Sequence, residues 1–267
     1  WWALIIAVVF VISELVCVAC VPERPVACDE KPGKISDMFK ALFKNDQAMT
    51  VVVSIILVYT SLNICGNLVL YFFRFDVGNE GAYSIFAAVA FAAQVLVMMV
   101  IPLLRKRFSK SRLFISGFII QIAGFAVILI MAFAKLYTPQ SWYILCLPGI
   151  LIYLGYGMLN VIMTIFLSDS VDYGEVMNGT REESVIFSMQ TFTVKLASGV
   201  AVFLAGLVVD WIHLDTAAAV QTQDTLDALR MWMTIPSVIL LIVGIFVFKR
   251  FYKLDDTRME EIKSKLN

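Results

Sequence analysis

Charge is scarce in this sequence. Only 16% of its 267 residues are Asp, Glu, Lys or Arg, where soluble domains carry about 25%. The 21 basic and 21 acidic residues cancel, so the chain has no basic excess for a polyanion and no nucleic-acid partner is expected. Histidine occurs once, as His213, near Asp210 and Asp215 and with no nucleophile beside it. It is read as an outer-loop residue, and the chain is not expected to be an enzyme. Of the five cysteines, Cys17, Cys20, Cys65 and Cys146 lie in apolar runs, which argues against a disulfide framework. Cys17 and Cys20 form a C-x-x-C without a second ligand pair, so they are read as packing residues and no metal or cofactor is expected. An initiating Met is also missing. The chain opens on Trp1-Trp2 inside an apolar run, and a fragment or processed chain is the expectation.

What the sequence has in abundance is apolar surface: 60% of residues are hydrophobic, and mean hydropathy is +0.85. This is the composition of a polytopic membrane protein. Seven runs are long and apolar enough to cross a bilayer, at roughly 1–21, 48–73, 82–104, 113–134, 142–168, 185–212 and 230–251. The first lacks the basic n-region and A-x-A site of a signal peptide and is read as a true span. Basic residues fall alternately: 17 of the 21 lie on one side and three (Arg74, Lys135, Arg230) on the other, with Lys195 inside a span. By the positive-inside rule the segment 22–47, the loop Arg105–Arg112 and the tail 253–267 are cytoplasmic. Within 22–47, Ile35, Met38, Phe39, Leu42 and Phe43 share one helical face and predict an amphipathic helix on the inner membrane surface. The organisation expected is one span (1–21), a cytoplasmic connector (22–47), a six-helix unit (48–252) and a tail.

Polar residues inside the spans are unevenly placed. The first span of the six-helix unit carries Tyr59, Asn63, Asn67 and Tyr71 at four-residue intervals, beside Thr60, so they line one face. The fourth carries Tyr153, Tyr156, Asn160 and Thr164, and the fifth Ser188, Gln190, Thr191, Lys195 and Ser198. The second and third offer only Gln94 and Gln121 at mid-span, and the sixth is apolar past Ser237. A lone Ser or Thr in a span serves helix–helix contact. A stripe of amides flanked by Tyr rings reads instead as the wall of a polar cavity. Aromatic faces and amides together suit sugars, and would also suit other polar organic solutes.

Lys195 stands about ten residues from either end of its span, too deep to snorkel fully. Placing it there costs about 2.5–3.5 kcal/mol on insertion scales. With no mid-span Asp or Glu in the six-helix unit, its partner is expected outside this chain. On the cytoplasmic side, the segment Ser168–Ser184 reads as an acidic loop with Asp169, Asp172, Tyr173, Glu175 and a single Arg181. It is expected to act as a gate by pairing with basic groups of another bundle. A solvated turn before the next helix is the plainer reading.

These segments resemble a known family. VDYGE at Val171–Glu175, followed by REESVIFSMQTFTVKLASG at Arg181–Gly199, is similar to the glycoside–pentoside–hexuronide:cation symporters, of which the melibiose carrier is the best-known member. LLRKRFSKSRLF at Leu103–Phe114 resembles their basic loop between the eighth and ninth helices, and VPERP after the first run resembles the end of their sixth. The likeness runs over nearly the whole chain, and its most specific part is the loop with the Lys195 helix. It implies an all-α membrane protein of the major facilitator fold. This chain would be the last helix of the N-terminal bundle, the middle loop and the C-terminal six-helix bundle. It further implies that the seventh and tenth helices line the cavity. Gln190, Thr191 and Lys195 would lie near the sugar site, with Lys195 facing carboxylates of the absent N-terminal bundle. Asn160 stands where the melibiose carrier has a Trp, so the resemblance does not carry galactoside specificity.

The function expected is cation-coupled symport of a sugar or glycoside by alternating access, in a bacterial inner membrane. The candidate substrate residues are Lys195, Gln190, Thr191, Tyr59, Asn63, Asn67, Tyr156 and Asn160. The partners are the sugar, a coupling cation (Na⁺ or H⁺), membrane lipid and the N-terminal bundle. One alternative is a sodium-dependent lysophospholipid carrier of the same superfamily, whose cavity would be mostly apolar. Another is a non-transporting receptor or assembly subunit.

Overall fold

The computed structural model describes residues 2–20, 43–179, 183–218 and 220–266. Among them every regular element is helical. The first helix, α1 (Trp2–Cys20), is apolar except at Ser13 and Glu14, with its described side chains exposed. It belongs to a separate compact unit ending at Ser36 and is described by itself. The amphipathic helix expected at 35–43 lies, apart from Phe43, outside the described residues.

The second unit is a helical bundle. Its elements are α2 (Asp46–Tyr71), continued by a π-helical turn at Phe72–Asp76; α3 (Ala82–Arg105); α4 (Lys110–Phe133); α5 (Cys146–Asn178), entered through a 3₁₀ turn at Trp142–Leu145; α6 (Glu183–Trp211); α7 (Gln223–Phe251); and α8 (Asp256–Leu266). Six of these helices are long and apolar enough to span a bilayer. At 1.5 Å per residue even 24 residues reach about 36 Å, beyond the ~30 Å hydrocarbon core. Starts are set by local chemistry. Asn45 caps α2 by accepting from the amide of Ala48 at 2.9 Å, and Thr222 caps α7 by accepting from Thr225 at 3.2 Å. The left-handed φ of 73° at Gly179 ends α5.

Two element boundaries differ from the sequence expectation. Helix α5 does not stop at residue 168 but runs on to Asn178, so the first two-thirds of the expected acidic loop is helix. The periodic burial of Phe166, Leu167, Ser170, Val171 and Gly174 explains the continuation. Helix α7 begins at Gln223 rather than 230, which places Arg230 two turns inside it.

Helix α5 packs most extensively against α4 and α3, while α2 packs against α7 and α6 and meets α5 over a shorter crossing. The α4–α5 approach is close because Gly155 faces α4. A Cβ there would sit 2.6 Å from the amide nitrogen of Gln121 and 2.6 Å from the carbonyl oxygen of Gly117. Helices α2 and α7 are joined at mid-membrane by a reciprocal pair, with Ser61 donating to the Ser237 carbonyl (3.0 Å) and Ser237 to that of Ser61 (2.8 Å). At the end of the bundle that carries α8, Phe114, Phe166, Phe248 and Tyr252 form one aromatic cluster.

Candidate functional site

The short α2–α5 crossing brings two of the three polar stripes together. The amide of Asn160 donates to the Tyr59 hydroxyl at 2.6 Å. The Tyr59 and Tyr156 rings meet edge-to-face with centroids 5.5 Å apart. Tyr156 is buried, whereas Tyr59 and Asn160 are half-buried and present the outer side of this cluster. Along α2, Asn63 and Asn67 turn their amides back onto the carbonyls of Tyr59 and Asn63, each at 2.7 Å. Those bonds use one donor on each amide and leave the Oδ1 acceptor and a second N–H to other partners.

The third stripe divides. Gln190 lies beside the packing face of α6 and reaches Thr164 of α5 at 3.5 Å. The face buried against the bundle is Ile186, Met189, Thr193, Ala197, Ala201 and Ala205. Lys195 lies about 200° from Thr193 at 100° per residue, on the opposite side of the helix. With Ser188 and Thr191 it forms an exposed polar strip. Gln190 and Lys195 were grouped by the sequence, but they face different directions. Gln190 extends the Tyr59–Asn160 wall, and Lys195 projects outward from the bundle.

The gate candidates also resolve differently. Asp169 is buried and ion-paired with Lys110 at the start of α4, in the same bundle and not with another one. Lys110 is itself buried and lies 3.5 Å from Asp256 of α8, which Arg105 approaches at 3.4 Å. Two carboxylates and two cations thus neutralise one another where three helices end, which corrects the reading of Asp169 as a loop residue free to pair elsewhere. Asp172, Tyr173 and Glu175 lie on the last turns of α5, and Arg181 lies outside the described residues. Tyr252 sits against this cluster, and burial, then the charges of Asp169 and Asp256, push its phenol above the ordinary tyrosine range.

One ionic site escaped the sequence reading. At the end of the bundle opposite α8, Asp76, on the π-helical turn after α2, is gripped by Arg230 of α7 through Nε at 2.8 Å and through a second bond from Nη2. Tyr137, between α4 and α5, donates to the same carboxylate at 2.6 Å. Arg230 also reaches Asp227 at 2.7 Å. The Arg230 and Asp76 side chains are each 3% exposed. Burial, then the neighbouring Asp76 charge, raise the Tyr137 phenol above its usual value and keep it a donor. By sequence Arg230 reads as an outer-loop charge, because a bidentate partner 154 residues away leaves no local signal. Among the described residues no cluster of His, Cys, Asp and Glu suits a metal ion.

Comparison with known proteins bears on what such a bundle is for. A family model described as MFS/sugar transport protein matches residues 1–256. An uncharacterized symporter, YjmB, of Bacillus subtilis (strain 168) is 25% identical over 254 residues, covering 94% of this chain and 54% of the relative. The raffinose carrier protein of Pediococcus pentosaceus is 23% identical over 234 residues, 87% of this chain and 35% of the relative. The isoprimeverose transporter of Lactiplantibacillus pentosus is 25% identical over 256 residues, 95% of this chain and 51% of the relative. The chain thus spans about half the length, or less, of these curated relatives.

Proposed function

The chain belongs to the MFS/sugar transport protein family and is an integral, multi-pass membrane protein; on that premise we propose that it supplies the C-terminal bundle of a cation-coupled sugar symporter. The observation that carries the reading is the Tyr59–Tyr156–Asn160 cluster at the α2–α5 crossing, extended by Thr164 and Gln190. A pyranose offers apolar C–H faces and a ring of hydroxyls. Aromatic rings take the first and amides with spare donors and acceptors take the second. Relatives named for raffinose and isoprimeverose transport support a saccharide substrate. The lysophospholipid alternative gains nothing from them, and a wall of Tyr and Asn is poorly suited to an acyl chain.

In this proposal Lys195 and Thr191 face the N-terminal bundle, and Lys195 meets carboxylates there that also hold the coupling cation. Sugar and cation then bind cooperatively through a shared coupling free energy. Transport proceeds by rocking of the two bundles about the midplane site.

The test is uptake of labelled glycosides, pentoses and hexuronates by cells expressing the intact transporter, with and without added Na⁺ and with the proton gradient collapsed. One saccharide should accumulate, and its accumulation should depend on Na⁺ or on the gradient. A well-expressed transporter that moves no saccharide would sink the proposal.

A further inference from the structure

On the half of the bundle opposite α8, α6 and α7 stand apart over part of their length and leave a groove of about 510 Å³. Ile64 of α2 lines it with Leu204 of α6 and Met231, Trp232, Pro236 and Ile239 of α7. Every lining residue is apolar. We infer that this groove is a binding site for one acyl chain of a membrane phospholipid.

Depth is the first argument. Helix α7 starts at Gln223, at the end opposite α8, so Met231 to Ile239 lie roughly 12–24 Å along it from that end. That interval falls within the hydrocarbon of a bilayer. Continuity is the second. Leu204, Met231 and Ile239 at the rim are 37%, 45% and 53% exposed. They merge with the exposed apolar faces of α6 (Val200, Phe203, Leu207) and α7 (Ile242, Phe246), surfaces that only lipid tails or another apolar segment can cover. Chemistry is the third. A sugar or a polar peptide in this groove would leave its hydroxyls or amides unpaired, whereas a methylene chain loses nothing. A chain in the groove touches three helices at once, where a chain on a convex helix face touches one, and dispersion contacts scale accordingly. Trp232 lies at the groove with Trp211 5.2 Å from it. The site lies away from the Tyr59–Asn160 wall and does not depend on which solute the transporter carries.

The experiment uses the intact transporter purified in mild detergent, with bound phospholipid counted by mass spectrometry of the intact complex. The unmodified protein should retain a phospholipid through delipidation. Leu204→Trp and Ile239→Trp each fill the groove from an exposed rim position and so do not overpack the core. By occupying space that the acyl chain would fill, each should lower retention severalfold through lost dispersion contacts. Phe246→Trp, on the lipid-facing ridge outside the groove, should retain it. A second measurement needs no groove-filling change. In vesicles of dibrominated phosphatidylcholine the emission lost on Trp232→Phe should be a strongly quenched component. Equal phospholipid retention in all variants, or an unquenched Trp232, would overturn the inference; the latter would show that another protein segment covers the groove.

Discussion

The Tyr59 hydroxyl accepts from the Asn160 amide at 2.6 Å across the α2–α5 crossing, and this makes it a sensitive position. Tyr59→Phe removes that acceptor from a half-buried amide, a loss of about 0.5–1.5 kcal/mol. If the wall binds sugar, KM for the transported saccharide should rise severalfold in Tyr59→Phe, with expression unchanged in a membrane-fraction blot. Asn160→Ala should do the same, and the double variant should cost little beyond either single change, because both remove one bond. Lys195 behaves differently, since it lies on the exposed side of α6, away from the wall. In the proposed symporter Lys195→Ala should abolish cation-driven accumulation. Full Na⁺- or H⁺-driven accumulation in that variant would remove Lys195 from the mechanism. The sequence made Gln190, Thr191 and Lys195 legible as polar residues within a span. It did not say that Gln190 turns toward Thr164 and Lys195 away, because that depends on which side of α6 the Ala197–Ala201–Ala205 stripe packs.

At the scale of elements, helix identity was largely readable and helix ends were not. Apolar runs of more than 20 residues fixed each span of the bundle, but Asp169, Asp172 and Glu175 made the end of α5 look like a solvated loop. The helix continues because Lys110, from the start of α4, answers Asp169, a partner that only folding supplies. The α4–α5 contact carries its own prediction. Gly155 faces backbone atoms at 2.6 Å, and a flexible side chain cannot relieve that. Gly155→Leu should push the two helices apart and destabilise the bundle by about 1–3 kcal/mol or more. It would be read as a lower midpoint in thermal unfolding of the detergent-solubilised transporter.

Across the whole six-span unit, polar clamps at both ends tie together helices distant in sequence. At the end opposite α8 the Arg230–Asp76 pair, with Tyr137, joins α2, the α4–α5 link and α7. A buried pair like this is weak evidence for net stability, yet removing one partner strands a charge and costs about 3–5 kcal/mol. Asp76→Asn and Arg230→Met should each reduce folded yield and thermal midpoint sharply. Asp76→Asn combined with Arg230→Met should recover much of the loss, since the two buried charges leave together and only the part-exposed Asp227 loses a partner. Additive losses in that cycle would show that the pair is not coupled.

By itself the amino-acid order determined the membrane class, the number and sequence of spans in the bundle, their alternation across the bilayer and the polar wall on α2 and α5. Those properties follow from local quantities: run length, hydropathy, basic-residue placement and the 3.6-residue period, each read within one segment. Tertiary structure decided that Tyr59 meets Asn160, that Lys195 points away from Gln190, that Asp169 belongs to Lys110 and that Arg230 belongs to Asp76. It also opened the apolar groove between α6 and α7. Each of these is a pairing or a gap between segments tens to more than a hundred residues apart, set by how helices of particular shape pack.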